Sequence, residues 1–187
     1  MEEVRERVFT VIQNYLKTPP VIIWGSGATV PFGLPSMNTL NQILKDNIPD
    51  FDNNCDNLEI ELGKEKYNDL MPQIRNLIWN AISTVDSQVL QNLLISDGDE
   101  FIGIKKLVEK ISDAHPKVTN IITTNYDRII ENVLSFHNIP FTDGFLGKDL
   151  SLFNENLFSS KNIVNIVKVH GSLNWFEFGG EIRYLQK

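Results

Sequence analysis

The chain has 187 residues, with 17 Lys and Arg against 24 Asp and Glu and a formal net charge of −7. Its 42% hydrophobic and 22% charged residues describe one globular domain with a substantial core, not a disordered chain. An acidic balance without a basic stripe argues against electrostatic nucleic-acid binding. A single cysteine, Cys55, excludes an internal disulfide and a thiolate-rich zinc site within one chain. The three histidines, His115, His137 and His170, show no metal-ligand spacing.

In chain order, Val4, Val8, Val11, Ile12, Tyr15 and Leu16 repeat with the period of an amphipathic helix over residues 3–17. Thr18-Pro19-Pro20 stops it. The acidic, helical amino terminus is unlike a signal or transit peptide. No apolar stretch approaches bilayer-spanning length, so the expectation is a cytoplasmic protein. Residues 21–24 then read as a short strand buried on both faces, as in a parallel sheet. It ends abruptly in Gly25-Ser26-Gly27, followed by Ala28, Thr29 and the turn Gly33-Leu34-Pro35. Two glycines one residue apart let the backbone turn sharply and leave no Cβ where a pyrophosphate approaches. Val30 stands where the common dinucleotide fingerprint has its third glycine.

A helix is predicted from about residue 36 to 46. Residues 51–99 contain no β-type run and read as a helical insertion: a polar loop at 52–57, then helices over 67–80, interrupted near Pro72, and over 86–95. A helix over 101–112 ends at His115-Pro116. Residues 118–124 form the second clear strand, followed at once by a helix carrying Ile129, Ile130, Val133, Leu134 and His137. Residues 139–141 suggest a short strand, and 144–160 a loop with some helix. Residues 162–169 form the third clear strand. Residues 173–185 read as a hairpin turning at Gly179-Gly180, with little chain left to cover Trp175, Phe176, Phe178 and Tyr184.

Each clear strand ends in a polar cluster: Gly25-Ser26-Gly27, Thr124-Asn125-Tyr126-Asp127 and His170-Gly171-Ser172. In an open parallel sheet all carboxyl ends lie on one side, where ligands bind, so the clusters are expected to converge on one crevice. Backbone N–H groups of the glycine turn suit phosphate. Asn125 offers an amide for ribose hydroxyls or a water, Asp127 a carboxylate, and His170 a group that takes a proton near neutral pH. Each residue also has a structural reading: Asp127 as the cap of the following helix, Asn125 as a turn residue, His170 as an ordinary strand-end histidine.

The three clusters resemble the motifs of the sirtuin family, and specifically its divergent branch in bacterial anti-phage defence proteins. The residues are Gly25-Ser26-Gly27-Ala28-Thr29 to Gly33-Leu34-Pro35, then Thr123-Thr124-Asn125-Tyr126-Asp127, then His170-Gly171-Ser172-Leu173-Asn174-Trp175. The resemblance implies an α/β, Rossmann-like three-layer fold with a central parallel sheet, without a zinc ribbon, that takes NAD as substrate. It implies that Gly25, Ser26, Gly27, Ala28 and Thr29 cradle phosphates, while Gly33 and Pro35 shape the loop over the nicotinamide ribose. Thr124, Gly171 and Ser172 would complete the binding set. Asn125 would hold the ribose or attacking water, His170 would be the general base, and Asp127 would order the site. Ser36-Met37-Asn38 replace the Asp-Phe-Arg of protein-deacylating members, and their four zinc cysteines are missing. The expected activity is therefore hydrolysis of NAD to nicotinamide and ADP-ribose, serving NAD depletion by a homo-oligomer or alongside a sensor domain or subunit. The alternatives are an NAD-dependent protein deacylase and a non-catalytic NAD- or ADP-ribose-binding module. Family members continue beyond His-Gly with strands holding the adenosine half. The expectation is thus a single domain over 1–187, forming the N-terminal part of a longer protein, binding NAD weakly by itself and inactive or nearly so until completed by further sequence or a partner.

Overall fold

A computed structural model describes residues 2–17, 21–52, 57–113, 118–147, 149–160 and 162–185. The expected stop at Thr18-Pro19-Pro20, Cys55 in the polar loop, and His115-Pro116 lie outside these residues. The chain divides into two compact units, one of residues 1–25 and 90–187, the other of residues 26–89.

The first unit holds a four-stranded, wholly parallel sheet in the order β1-β2-β4-β3. Its strands are β1 (Ile22–Trp24), β2 (Thr119–Thr123), β3 (Phe141–Thr142) and β4 (Val164–Lys168). The α/β architecture and the parallel sheet are as expected. β2 and β4 lie in the middle, and both are largely buried, Ile121 and Ile166 almost completely. β1 departs from its expected burial on both faces, because Ile23 is 83% exposed. The cause is topological: β1 pairs only with β2 and so forms one edge of the sheet.

α-Helices lie between β1 and β2 and between β2 and β3, while β3 crosses to β4 through a 3-10 turn at Glu155–Ser159. α5 (Ile102–Ser112) buries Ile104, Val108 and Ile111 and packs on β2, while α6 (Ile129–Phe136) buries Ile129, Ile130, Val133 and Leu134. Burying each such side chain stabilises the fold by about 1.5–3 kcal/mol. α1 (Glu2–Lys17) has the predicted periodicity, yet Val4, Val8, Val11 and Ile12 are all exposed.

The second unit is helical among its described residues: α2 (Met37–Asn47), the short α3 (Leu58–Leu62), and most of α4 (Met71–Ile95). Glu65–Leu70 form a 3-10 turn and α4 begins at Met71, so the expected interruption falls beside Pro72, while the expected break between 80 and 86 is absent and α4 runs unbroken for 25 residues. Pro72 marks the change. As the second residue of α4 it sits in the first turn, where a missing N–H has no helical partner to lose. Leu40, Leu44, Ile74, Ile82 and Val89 supply much of this unit's core.

The hairpin forms as predicted, from β5 (Trp175–Phe178) and β6 (Glu181–Tyr184). Gly179 and Gly180 have φ of 63° and 81°, the left-handed pair that a tight two-residue hairpin turn demands. Its aromatics are better covered than expected. Phe145 packs against Trp175 at 5.2 Å and Tyr184 at 5.7 Å between ring centres, and Phe153 packs against Trp175 at 5.8 Å. Phe178 alone of the four remains strongly exposed, at 68%. The cover comes from the 145–153 segment, which also bonds to β6 through the Phe153 N–H and the Ile182 carbonyl.

Candidate functional site

The registers of β1, β2 and β4 align their carboxyl ends. Trp24 pairs with Thr123, and Thr123 pairs with Lys168. Asn125 and His170 therefore each lie two residues beyond one paired position on neighbouring strands. Gly25 lies one residue beyond the same row on β1. Thr124, Asn125, Asp127, His170, Gly171 and Ser172 thus share one edge of the sheet, and Gly25 leaves from it.

The loop after β2 is held from several directions. The Asn125 N–H donates to Thr123 Oγ1 at 3.0 Å, and the Val169 N–H donates to the Thr123 carbonyl at 3.0 Å. The Tyr126 carbonyl accepts from the Leu173 N–H at 3.0 Å and from Ser172 Oγ at 3.4 Å. These bonds tie the segment carrying Asn125 to the segment carrying His170. Asn125 is buried, whereas His170 is exposed to solvent. Gly171 has φ of 87°, so the turn after His170 needs its glycine.

Asp127 is buried, and its Oδ1 accepts the Ile129 N–H at 3.2 Å. The N-cap position of α6 is Arg128, so Asp127 stands one residue before the expected cap, and its carboxylate closes an Asx turn onto the first helical N–H.

Ser26, Gly27, Ala28, Thr29, Gly33 and Pro35 belong to the second unit. Ser26–Ala28 form a 3-10 turn, closed by bonds from the Thr29 N–H and Oγ1 to the Ser26 carbonyl. Gly33, with φ of 92°, caps the next 3-10 turn through its N–H to the Val30 carbonyl, so the fold itself demands glycine there. Gly25 and Gly27 differ. Neither has positive φ, and a Cβ at either would meet no described atom within 4 Å. Nothing among the described residues calls for glycine at those two positions.

Three charged residues escape sequence reasoning. Lys168, the last residue of β4, is 5% exposed. Its ammonium donates to Glu131 Oε1 at 2.7 Å and to the backbone carbonyl of Asp127. Asp143, just beyond β3, is also buried, and burial, then the charge of Glu131, pushes its carboxyl above the usual range. The one sequence signal was a lysine closing a largely apolar strand. A further buried acceptor, Asn174 Oδ1, has no hydrogen-bond partner among the described residues.

Other features stand apart from this edge. A cavity of about 300 Å³ lies against Thr119 and Val164, which begin β2 and β4, so it opens at the opposite end of the sheet. Among the described residues no cluster of three His, Cys, Asp or Glu side chains could hold a metal. No helix among them is long and apolar enough to cross a membrane.

The fold and site define an α/β protein of Rossmann-like type with polar clusters gathered at the carboxyl edge of a parallel sheet. Residues 119–183 match the family model of the SIR2-like domain. The match covers less than half of the chain, from β2 to β6, and includes Asn125, Asp127 and His170. It supports a sirtuin-like relationship for that segment and, with it, chemistry on NAD. No curated protein matches the chain.

Proposed function

We propose that this chain is an NAD hydrolase that cleaves the bond between nicotinamide and ribose. The observation that carries the reading is the pairing of Thr123 with Lys168. It sets a buried Asn125 and an exposed His170 at equivalent positions on adjacent strands, inside the segment that matches the SIR2-like domain. On the resemblance of the motifs alone, Gly25, Ser26, Gly27, Ala28 and Thr29 would cradle the pyrophosphate, and Gly33 and Pro35 would shape the loop over the ribose. Within the sheet unit, Thr124, Gly171 and Ser172 lie beside Asn125 and His170 in the chain and would flank the reacting end.

In this mechanism Asn125 orients the attacking water or the ribose, and Asp127 holds the loop on which Asn125 rides. His170 accepts the proton as water oxygen bonds to the anomeric carbon, while the glycosidic carbon–nitrogen bond breaks and neutral nicotinamide leaves. The exposure of His170 leaves it open to solvent for passing that proton on. The wider role is NAD depletion in bacterial anti-phage defence, in the cytoplasm, by a homo-oligomer or with a sensor domain or subunit. That role rests on the resemblance of the three motifs.

The test is nicotinamide release at millimolar NAD by the purified chain. His170→Ala is expected to lower it by about 10²–10⁴-fold, the usual cost of losing a general base, and Asn125→Ala to abolish it through loss of the group that orients the water or ribose. Unchanged release by a folded His170→Ala protein would remove the base from the mechanism.

A further inference from the structure

Lys168 is a buried cation whose ordinary explanation is its ion pair with Glu131. That explanation is incomplete. A buried ion pair is weak evidence for stability, because well-packed apolar residues of similar volume often serve as well or better. What an apolar residue could not supply is the second bond, from the ammonium to the main-chain carbonyl of Asp127. This bond leaves the last residue of β4, two positions before His170, and ends two positions after Asn125. Tyr126 is tied in the same sense through Leu173 and Ser172. The two loops are thus laced together on both sides of Asn125 and on both sides of His170. Lys168 makes the tie that a side-chain substitution can cut cleanly.

We propose that Lys168 is a positioning residue that sets the Asn125 loop against His170, with Glu131 holding its ammonium in place. The kinetic part of this proposal rests on the NAD-hydrolase reading; the geometric part does not. Neither residue need touch substrate. Their effect is transmitted through the Asp127 carbonyl, so it falls on alignment and not on binding contacts.

The decisive variant is the double substitution Lys168→Met with Glu131→Met in the 187-residue chain, which leaves neither charge buried alone. Two readouts are taken. Amide hydrogen exchange at Leu173 and Ile129 reports the lacing, and the split of kcat from KM reports alignment. The expected result is a cooperative fold with wild-type circular dichroism, in which exchange at both amides is about tenfold faster or more, since local opening controls exchange. With it, kcat falls about 10- to 100-fold at a KM within about twofold, as misplacement by an ångström can do. Lys168→Arg, which keeps a donor to the carbonyl, is expected to recover part of both. Wild-type exchange at Leu173 and Ile129 in the folded double variant would overturn the proposal, as would a rise in KM with kcat unchanged. Should the double variant fail to fold, Glu131→Gln is read by the same amides, with the same expected direction and the same overturning result. If neither the wild-type chain nor the chain with its native downstream sequence releases nicotinamide, the hydrolase reading fails, while the exchange measurement still decides the role of Lys168.

Discussion

Two buried carboxylates in this molecule, one in each unit, are driven in opposite directions by the number of cations around them. Glu61 in the helical unit accepts from Lys64, from the Tyr67 hydroxyl at 2.6 Å and from Lys66 at 3.1 Å. Lys64 chiefly, then Tyr67, lower its pKa from 4.5 to about 2 against the effect of burial. Asp143 in the sheet unit has the Phe145 N–H at 3.4 Å and no ion pair among the described residues. Burial, then repulsion by Glu131, raises its pKa. The nearby ammonium, Lys168, is already committed to Glu131 and to the Asp127 carbonyl. An over-supplied carboxylate marks a region built for stability. A cluster with more carboxylate than cation marks one where a charge has been assigned to another task, here the bracing of a loop.

The largest effect that would break this contrast is Lys168→Met alone. Glu131 would be left charged and buried without its partner, and such losses cost about 3–5 kcal/mol. Chemical denaturation should show that loss, with most of it recovered when Glu131→Met is added. A loss confined to the ~0–1 kcal/mol of an exposed pair would mean that the bridge is no stronger than a surface one.

A smaller effect sharpens the contrast through pH. Glu61, with its lowered pKa, contributes stability that is present above 4.5 and is lost as pH falls toward about 2. Asp143, with its raised pKa, has the opposite sign: the folded state retains the proton longer, so stability is lost as pH rises from 3.8 through the folded-state value. Unfolding curves across pH should therefore flatten on the acid side in Glu61→Gln. In Asp143→Asn the decline above 3.8 should disappear, and stability at neutral pH should not fall. Curves parallel to wild type in both variants would remove the charge argument altogether.

Much of the fold was legible because local signals agreed with topology. β2 and β4 are apolar runs with polar ends, and the hairpin announces itself in Gly179-Gly180. Errors arose where burial or continuity depends on partners distant in sequence. Ile23 is apolar yet exposed, since nothing in residues 21–24 says that β1 is an edge strand. The break expected between 80 and 86 is absent because α4 runs straight through that stretch, while Pro72 does mark the change from 3-10 turn to helix. The amphipathic stripe of α1 predicted the helix but not its exposure. The candidate residues at the strand ends could be placed at one end of the sheet because each follows a strand directly. Lys168 and Glu131 could not be paired from sequence, since 37 residues separate them and one ends β4 while the other lies on α6.

The most direct measurement of the central claim follows both products of NAD in water enriched in oxygen-18. The account predicts nicotinamide and free ADP-ribose carrying one heavy oxygen at the anomeric position, formed without any acetylated peptide. No product from NAD by the chain either alone or with its native downstream sequence, or nicotinamide released only when an acetyl-lysine peptide is present, would contradict it.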